Sequence, residues 1–276
     1  MELTLPVTLA VLAGALLHAA WNTLVKSSRD KELDTYAVAA GSGLIALVAL
    51  PFVAAPAPAA WPWLAASSAV HILYFLFLAG AYRHGELSYV YPVMRGGGPM
   101  IVAASGTLVF AEVLRPGEWL GVGLICGSIL ALASGTHDRR ATLFAVANAA
   151  VIGAYTLIDA QGARASGAPV GYTLCFFAVM AGVILAIGSA KRGRALPGYL
   201  ARHWLRALAG GACSVGSYGI ALWAMTVAPV ALVAALRETS VVFAAVLAAL
   251  VLKEKLTRRR LVATGAVLAG LVLLRT

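Results

Sequence analysis

Ten long apolar runs, separated by short polar linkers, set the plan of this chain. They fall at residues 5–25, 36–54, 63–82, 88–111, 119–134, 141–160, 170–190, 204–227, 231–252 and 261–274. About 20 mainly apolar residues make a helix that crosses the hydrocarbon core of a bilayer. Each run therefore predicts a transmembrane helix, with the fifth and tenth the shortest. The linkers carry water-facing chemistry, as in Arg29, Asp30 and Lys31, or Lys191, Arg192 and Arg194. None is long enough to fold as a soluble domain, which removes the output module that a sensor or receptor would need. The first run follows Met1, Glu2, Leu3 and Thr4 without the basic stretch of a cleaved signal peptide, so it is read as a retained helix.

Composition strengthens this picture. The chain is 61% hydrophobic and 12% charged, with a mean hydropathy of +0.89. A soluble domain carries about 45–50% apolar and about 25% charged residues, so the solvent here is mostly lipid. The net charge of +10 would suggest nucleic acid in a soluble protein. Here the basic residues sit in loops between apolar runs, where they orient the chain in the bilayer, and no nucleic-acid partner is expected. Cys126, Cys175 and Cys213 each lie inside an apolar run without a CxxC partner. They are read as small apolar residues, with no metal site and no cofactor expected.

A repeat organises the ten runs. Arg95 precedes Glu112 by 112 − 95 = 17 residues, and Arg237 precedes Glu254 by 254 − 237 = 17. The offset is 142 for both members, and Gly123 aligns with Gly265 at the same offset. Earlier in the chain Thr23 and Leu24 match Thr156 and Leu157 at offset 133. The difference of nine implies an insertion in the second half, expected in its long basic loop. Five helices per copy is an odd number, so the second copy enters from the opposite face. The predicted fold class is all-α: a polytopic membrane protein with ten transmembrane helices in two inverted five-helix repeats, residues 1–135 and 139–276. Inverted repeats around a midplane site are a common plan of secondary transporters.

The chemistry concentrates on few residues. Arg95 and Arg237 lie about eight or nine residues inside their helices, roughly 12–14 Å deep. A charge there costs at least about 2.5–3.5 kcal/mol on insertion scales. They are candidates for holding an anionic group of a substrate; a structural pair, such as Arg237 with Glu238, is the competing reading. Glu238 is either a proton-coupling carboxylate or a counter-charge. Pro92, Gly96, Gly97, Gly98 and Pro99 predict a broken fourth helix, lining a site or packing closely against neighbours. Trp21, Tyr74, Tyr91, Tyr155, Tyr218 and Trp223 fall within spans, as cavity walls or as packing. Asn22 and Tyr155 occupy nearly repeat-equivalent places. His18 and His71 are proton relays or packed histidines. Asp159 corresponds by repeat to Lys26, and both are expected to reach an interface. Glu112 and Glu254 end their helices and are read as structural.

These features together resemble the drug/metabolite transporter superfamily, in its EamA-domain branch. The resemblance rests on Trp21, Asn22 and Lys26 in the first helix, on Tyr91, Pro92 and Arg95 in the fourth, on the Glu112 and Glu254 ends, and on Pro116 to Gly121 opening the fifth. It covers essentially the whole chain. It implies a multi-pass protein of the bacterial inner (plasma) membrane that moves a small molecule by alternating access, often as an exporter of amino acids, metabolites or drugs. The implied partners are a small-molecule substrate, a proton or another ion as coupling partner, and the lipid bilayer, with the protein a monomer or homodimer. The substrate-binding candidates are Arg95, Arg237, Glu238, Trp21, Asn22, Tyr91, Tyr155 and Trp223. A channel and a membrane-embedded enzyme stay open as alternatives. No GxxxxGK[ST], HExxH or GxSxG sequence is present, so a non-enzymatic role is expected.

Orientation follows from the basic residues. Of 21 Lys and Arg, two lie within helices; of the other 19, the odd-numbered loops hold 16 and the termini and even-numbered loops hold 3. The positive-inside rule then puts both termini outside the cytoplasm, whereas the family resemblance implies the reverse. Alkaline phosphatase fused after Thr276 should be active and green fluorescent protein there dark; the opposite pair of results restores the family orientation.

Overall fold

The structure is a computed structural model that describes residues 2–135, 138–251, 253 and 257–275. Those residues form helices and turns without a strand. In chain order they are α1 (Leu5–Lys26), α2 (Lys31–Ala49), α3 (Trp61–His84), α4 (Leu87–Phe110), α5 (Pro116–Leu130), α6 (Arg139–Ser166), α7 (Pro169–Arg192), α8 (Ala195–Arg202), α9 (Trp204–Val227), α10 (Val230–Arg237), α11 (Ser240–Val251) and α12 (Arg258–Leu273). Among the described residues eight helices are long and apolar enough to cross a membrane, counting Val230–Val251 as one. The protein is therefore a multi-pass helical membrane protein. The fifth and tenth predicted runs are helical too, but α5 has 15 residues and α12 has 16, short of the span length.

Local signals explain the ends. Asp30 caps α2 by accepting Leu33 N–H at 3.0 Å, and Asp138 caps α6 by accepting Ala141 N–H at 2.7 Å. Such caps satisfy amides that the first turn leaves unpaired. The Leu33 bond holds the Asp30 carboxyl below its usual range. Gly167, at φ 60°, stops α6, because glycine enters the left-handed region without steric cost. Between α7 and α9 the basic loop folds into α8, which was not expected. Its Leu196 packs with Leu33 and Tyr36, while Arg194 and Arg202 stay exposed. The expected insertion is not in this loop. The gap from α7 to α9 is 204 − 192 − 1 = 11 residues, and that from α2 to α3 is 61 − 49 − 1 = 11. The extra residues lie in α6 and α7, with 28 and 24 residues against 22 and 19 in α1 and α2, offset by a connection between them that is two residues shorter.

The helices interlock across the two halves of the chain. α6 packs on α3 and α4, α1 packs on α9 and α11, α2 packs on α7 and α9, and α5 packs on α12. Lipid tails are as apolar as leucine, so close van der Waals contact between small residues carries such packing. Gly41 and Gly211 let α2 and α9 touch backbone to backbone: a Cβ on Gly41 would sit 1.9 Å from the Ala207 carbonyl oxygen.

The fourth helix is continuous, which corrects the expected break. Pro92 and Pro99 lie inside an unbroken α4. Its glycines serve close packing instead: a Cβ would come 2.8 Å from the Cys126 carbonyl oxygen at Gly96, 2.9 Å from Ala149 at Gly97 and 2.6 Å from Ile152 at Gly98. The interruption falls in the ninth run, between α10 and α11. There Glu238 N–H and Thr239 N–H donate three residues back, to Ala235 and Leu236, and Thr239 Oγ1 donates to the Leu236 carbonyl at 2.7 Å. A hydroxyl that bonds the preceding turn competes with the helix ladder, and the chain tightens for one turn.

Gly41→Ala should therefore destabilise the protein by about 1–3 kcal/mol, the range for overpacking a tight interior. Gly123→Ala, where a Cβ meets nothing within 4 Å, should leave the melting temperature unchanged. Thermal unfolding of the two purified variants measures the contrast.

Candidate functional site

The tightened turn brings the charged residues together. Arg95 and Val102 of α4, Tyr155 and Thr156 of α6, and Arg237 and Glu238 at the end of α10 line one internal cavity of about 20 Å³. That volume holds one or two waters and no metabolite. Arg95 is paired: its Nε lies 3.1 Å from Glu238 Oε2, and its Nη2 donates to Ser240 Oγ at 3.2 Å. The Nε and Oε2 atoms are close but not aligned, and neither makes a hydrogen bond. The contact is thus a buried ion pair whose two facing atoms have unused hydrogen-bonding capacity.

Arg237 differs from Arg95. It lines the same cavity, and its guanidinium carbon sits 5.3 Å from the centre of the Tyr218 ring. Among the described residues it makes no ion pair with a carboxylate. A cation over an aromatic face keeps its charge and most of its donors available. The sequence reading that paired Arg237 with Glu238 is thus replaced by a pair between Arg95 and Glu238, which spans two helices.

The remaining candidates spread out. Tyr155 lines the cavity and packs on His71 with the rings tilted and their centres 4.1 Å apart. Asn22 spends its amide on the His18 carbonyl at 2.8 Å. Trp21 meets the His18 ring edge-on at 5.3 Å. Tyr91 and Trp223 are each 37% exposed and do not line the cavity. His71 is packed, with Nδ1 2.9 Å from the Ser67 carbonyl.

Asp159 was expected at an interface and is instead fully buried. The reason is helix length. α6 runs to Ser166, seven residues past Asp159, which places the carboxylate about 10 Å inside the helix end. It accepts hydrogen bonds from Tyr172 Oη at 2.9 Å and from Tyr218 Oη. Lys26, its repeat counterpart, is exposed at the end of α1. A single acid inside a long apolar run was the available signal. Ser240 and Tyr172 had none, because ordinary polar residues are common in such runs.

Two charged clamps close the structure at opposite ends of α9. At its start Arg206 Nε donates to Asp34 Oδ2 at 2.6 Å, and Tyr199 Oη donates to Asp34 Oδ1 at 2.7 Å. At its end Arg164 holds Glu112 at 2.8 Å and the Met225 carbonyl at 2.8 Å. Glu112 also accepts Val230 N–H at 2.9 Å, capping α10. Glu254, its repeat counterpart, lies outside the described residues.

Comparison with known proteins adds to this geometry. Residues 139–276 match the family model described as the EamA-like transporter family. A solved crystal structure of a protein, 16% identical, aligns with a TM-score of 0.74 and covers 97% of this chain and 96% of that one. At that identity the likeness is one of fold. No curated protein sequence matches.

Arg95→Gln should strand Glu238 in the interior and cost about 3–5 kcal/mol, as for breaking one side of a buried ion pair. Arg237→Gln loses an aromatic contact worth about 0.5–2 kcal/mol. Melting temperatures of the two variants should therefore separate clearly, with Arg95→Gln the lower.

Proposed function

The chain belongs to the EamA-like transporter family, and on that footing we propose that it is a secondary transporter that holds an anionic group of a small metabolite at Arg237. The observation that carries this reading is a guanidinium inside the spans that lines the cavity without a carboxylate partner. An intramembrane cation of this kind marks a substrate pathway. Arg95, Glu238 and Tyr155 line the same cavity.

Alternating access fits the two clamps. Asp34 with Arg206, and Glu112 with Arg164, lock opposite ends of the bundle, and the cavity has no room for a metabolite. Both clamps are closed in the described conformation, and on this reading each in turn must open. The arrangement is proposed as ten spans in two inverted units, residues 1–135 and 139–276. Helix packing supports it: exchanging the halves turns the α3 and α6 contact into that of α9 and α1, and the α2–α7 and α5–α12 contacts map onto themselves. The family resemblance favours export across a bacterial inner membrane, by a monomer or homodimer, without enzymatic chemistry. The substrate range proposed is an amino acid, an organic anion or a drug-like compound bearing an anionic group.

A thermal-shift screen of amino acids, organic acids and cationic drugs identifies the ligand class, since a ligand bound to the folded state raises its melting temperature. Arg237→Gln should weaken binding of the hit about 10- to 100-fold, the loss of a charge-assisted hydrogen bond, and Arg237→Lys should recover part of it. Normal affinity and flux in Arg237→Gln, or hits confined to compounds without an anionic group, would overturn the assignment.

A further inference from the structure

Each described buried acid but one faces a cation. Glu238 faces Arg95, Asp34 faces Arg206, and Glu118 faces Arg115. The largely buried Glu112 likewise faces Arg164. Neutralising Glu238 or Glu112 would strand a largely buried guanidinium. Asp159 is the exception, because among the described residues no Lys or Arg forms an ion pair with it. Its carboxylate is held by the phenols of Tyr172 and Tyr218, with Ser67 and His71 of α3 also facing it. Tyr155 of its own helix lies in the same electrostatic neighbourhood. Arg237 of α10 stands behind the Tyr218 ring.

We propose that Asp159 is a reversible proton-binding site linked through Tyr218 to the anion-holding Arg237. Its part in transport rests on the function proposed above; its titration does not. Uptake converts the carboxylate to a carboxylic acid with no other bond made or broken. Both phenols already donate to the two carboxylate oxygens, so a metal cation would have to turn those donors away, whereas a proton needs only one hydroxyl to become an acceptor. The phenol of Tyr218 is that hydroxyl, and its ring carries Arg237. The charges of Arg95, Arg237, Glu238 and Asp159 sum to zero when all are ionised. A proton on Asp159 leaves the site with one positive charge and so favours an anion. Proton and anion then assist each other's binding by the same factor, as linkage requires.

Infrared spectroscopy of the full-length protein in lipid nanodiscs reads this without a substrate. In the wild type a carboxylic-acid band should grow as the pH is lowered. Asp159→Asn should lack it. In Arg237→Gln its midpoint should move up, the effect of removing the opposite charge that stands over the Tyr218 ring. If Asp159→Asn fails to fold, Asp159→Glu keeps a titrating carboxyl and must move both the band and its midpoint. The proposal is overturned by the absence of a titrating band, by its survival in Asp159→Asn, or by an unmoved midpoint in Arg237→Gln. A titrating Asp159 in a protein without transport would sink the transport reading and leave the proton site standing; anion transport with no titrating band would do the reverse.

Discussion

Charge held in the hydrocarbon interior must find its compensation inside the protein, and this constraint shapes everything around the cavity. Each buried ion costs several kcal/mol to desolvate, and excellent geometry or extra hydrogen bonds must offset that cost. Arg95 meets it with Glu238 and Ser240, which sit on either side of the turn between α10 and α11. The ion pair therefore fixes α4 against the interrupted helix. Arg164 and Glu112 do the same between α6 and the junction of α9 with α10. Arg206 and Asp34 do it between α9 and α2. In each case the partners come from different segments of the chain, so satisfying the charge and assembling the bundle are one event.

Close approach makes those pairings possible. With no hydrophobic difference between helix and lipid, small residues set how near two backbones come. Gly41 and Gly211 bring α2 and α9 into backbone contact, and Gly121 and Gly270 do so for α5 and α12. The glycines of α4 bring it against α5 and α6, which positions Arg95 opposite the α10 turn. Contacts of this kind can slide with little loss, because no large side chain is keyed into a hole. That suits the proposed alternating access, in which the end clamps open in turn.

Residues that match by sequence offset do not share a chemistry. Arg95 and Arg237 match by offset, yet one is neutralised and the other lies over an aromatic ring. Asp159 and Lys26 also match by offset, yet one is buried and the other exposed. Such asymmetry gives the proposed site a single anion anchor beside a single titrating group, where perfect duplication would have placed two of each.

The sequence alone determined the membrane setting, the helices and the pair of arginines. Long apolar runs admit few other structures in lipid, where every backbone group must be bonded within its own segment, and an Arg in such a run stands out. The family could also be read there, from Arg95, Tyr91 and the glutamate ends. Only the tertiary structure decided which charges meet. The Glu238 partner of Arg95 lies 143 residues away, 238 − 95, and pairing at that distance depends on packing that no local pattern records. The α4 glycines read as a break because glycine weakens a helix, but neighbouring helices filled the space above them. The real interruption came from Thr239, whose hydroxyl bonds back to Leu236, in a run of four polar residues from Arg237 to Ser240. Asp159 went astray for a simpler reason: two more turns of α6, ended by Gly167, carried it from the expected interface into the interior.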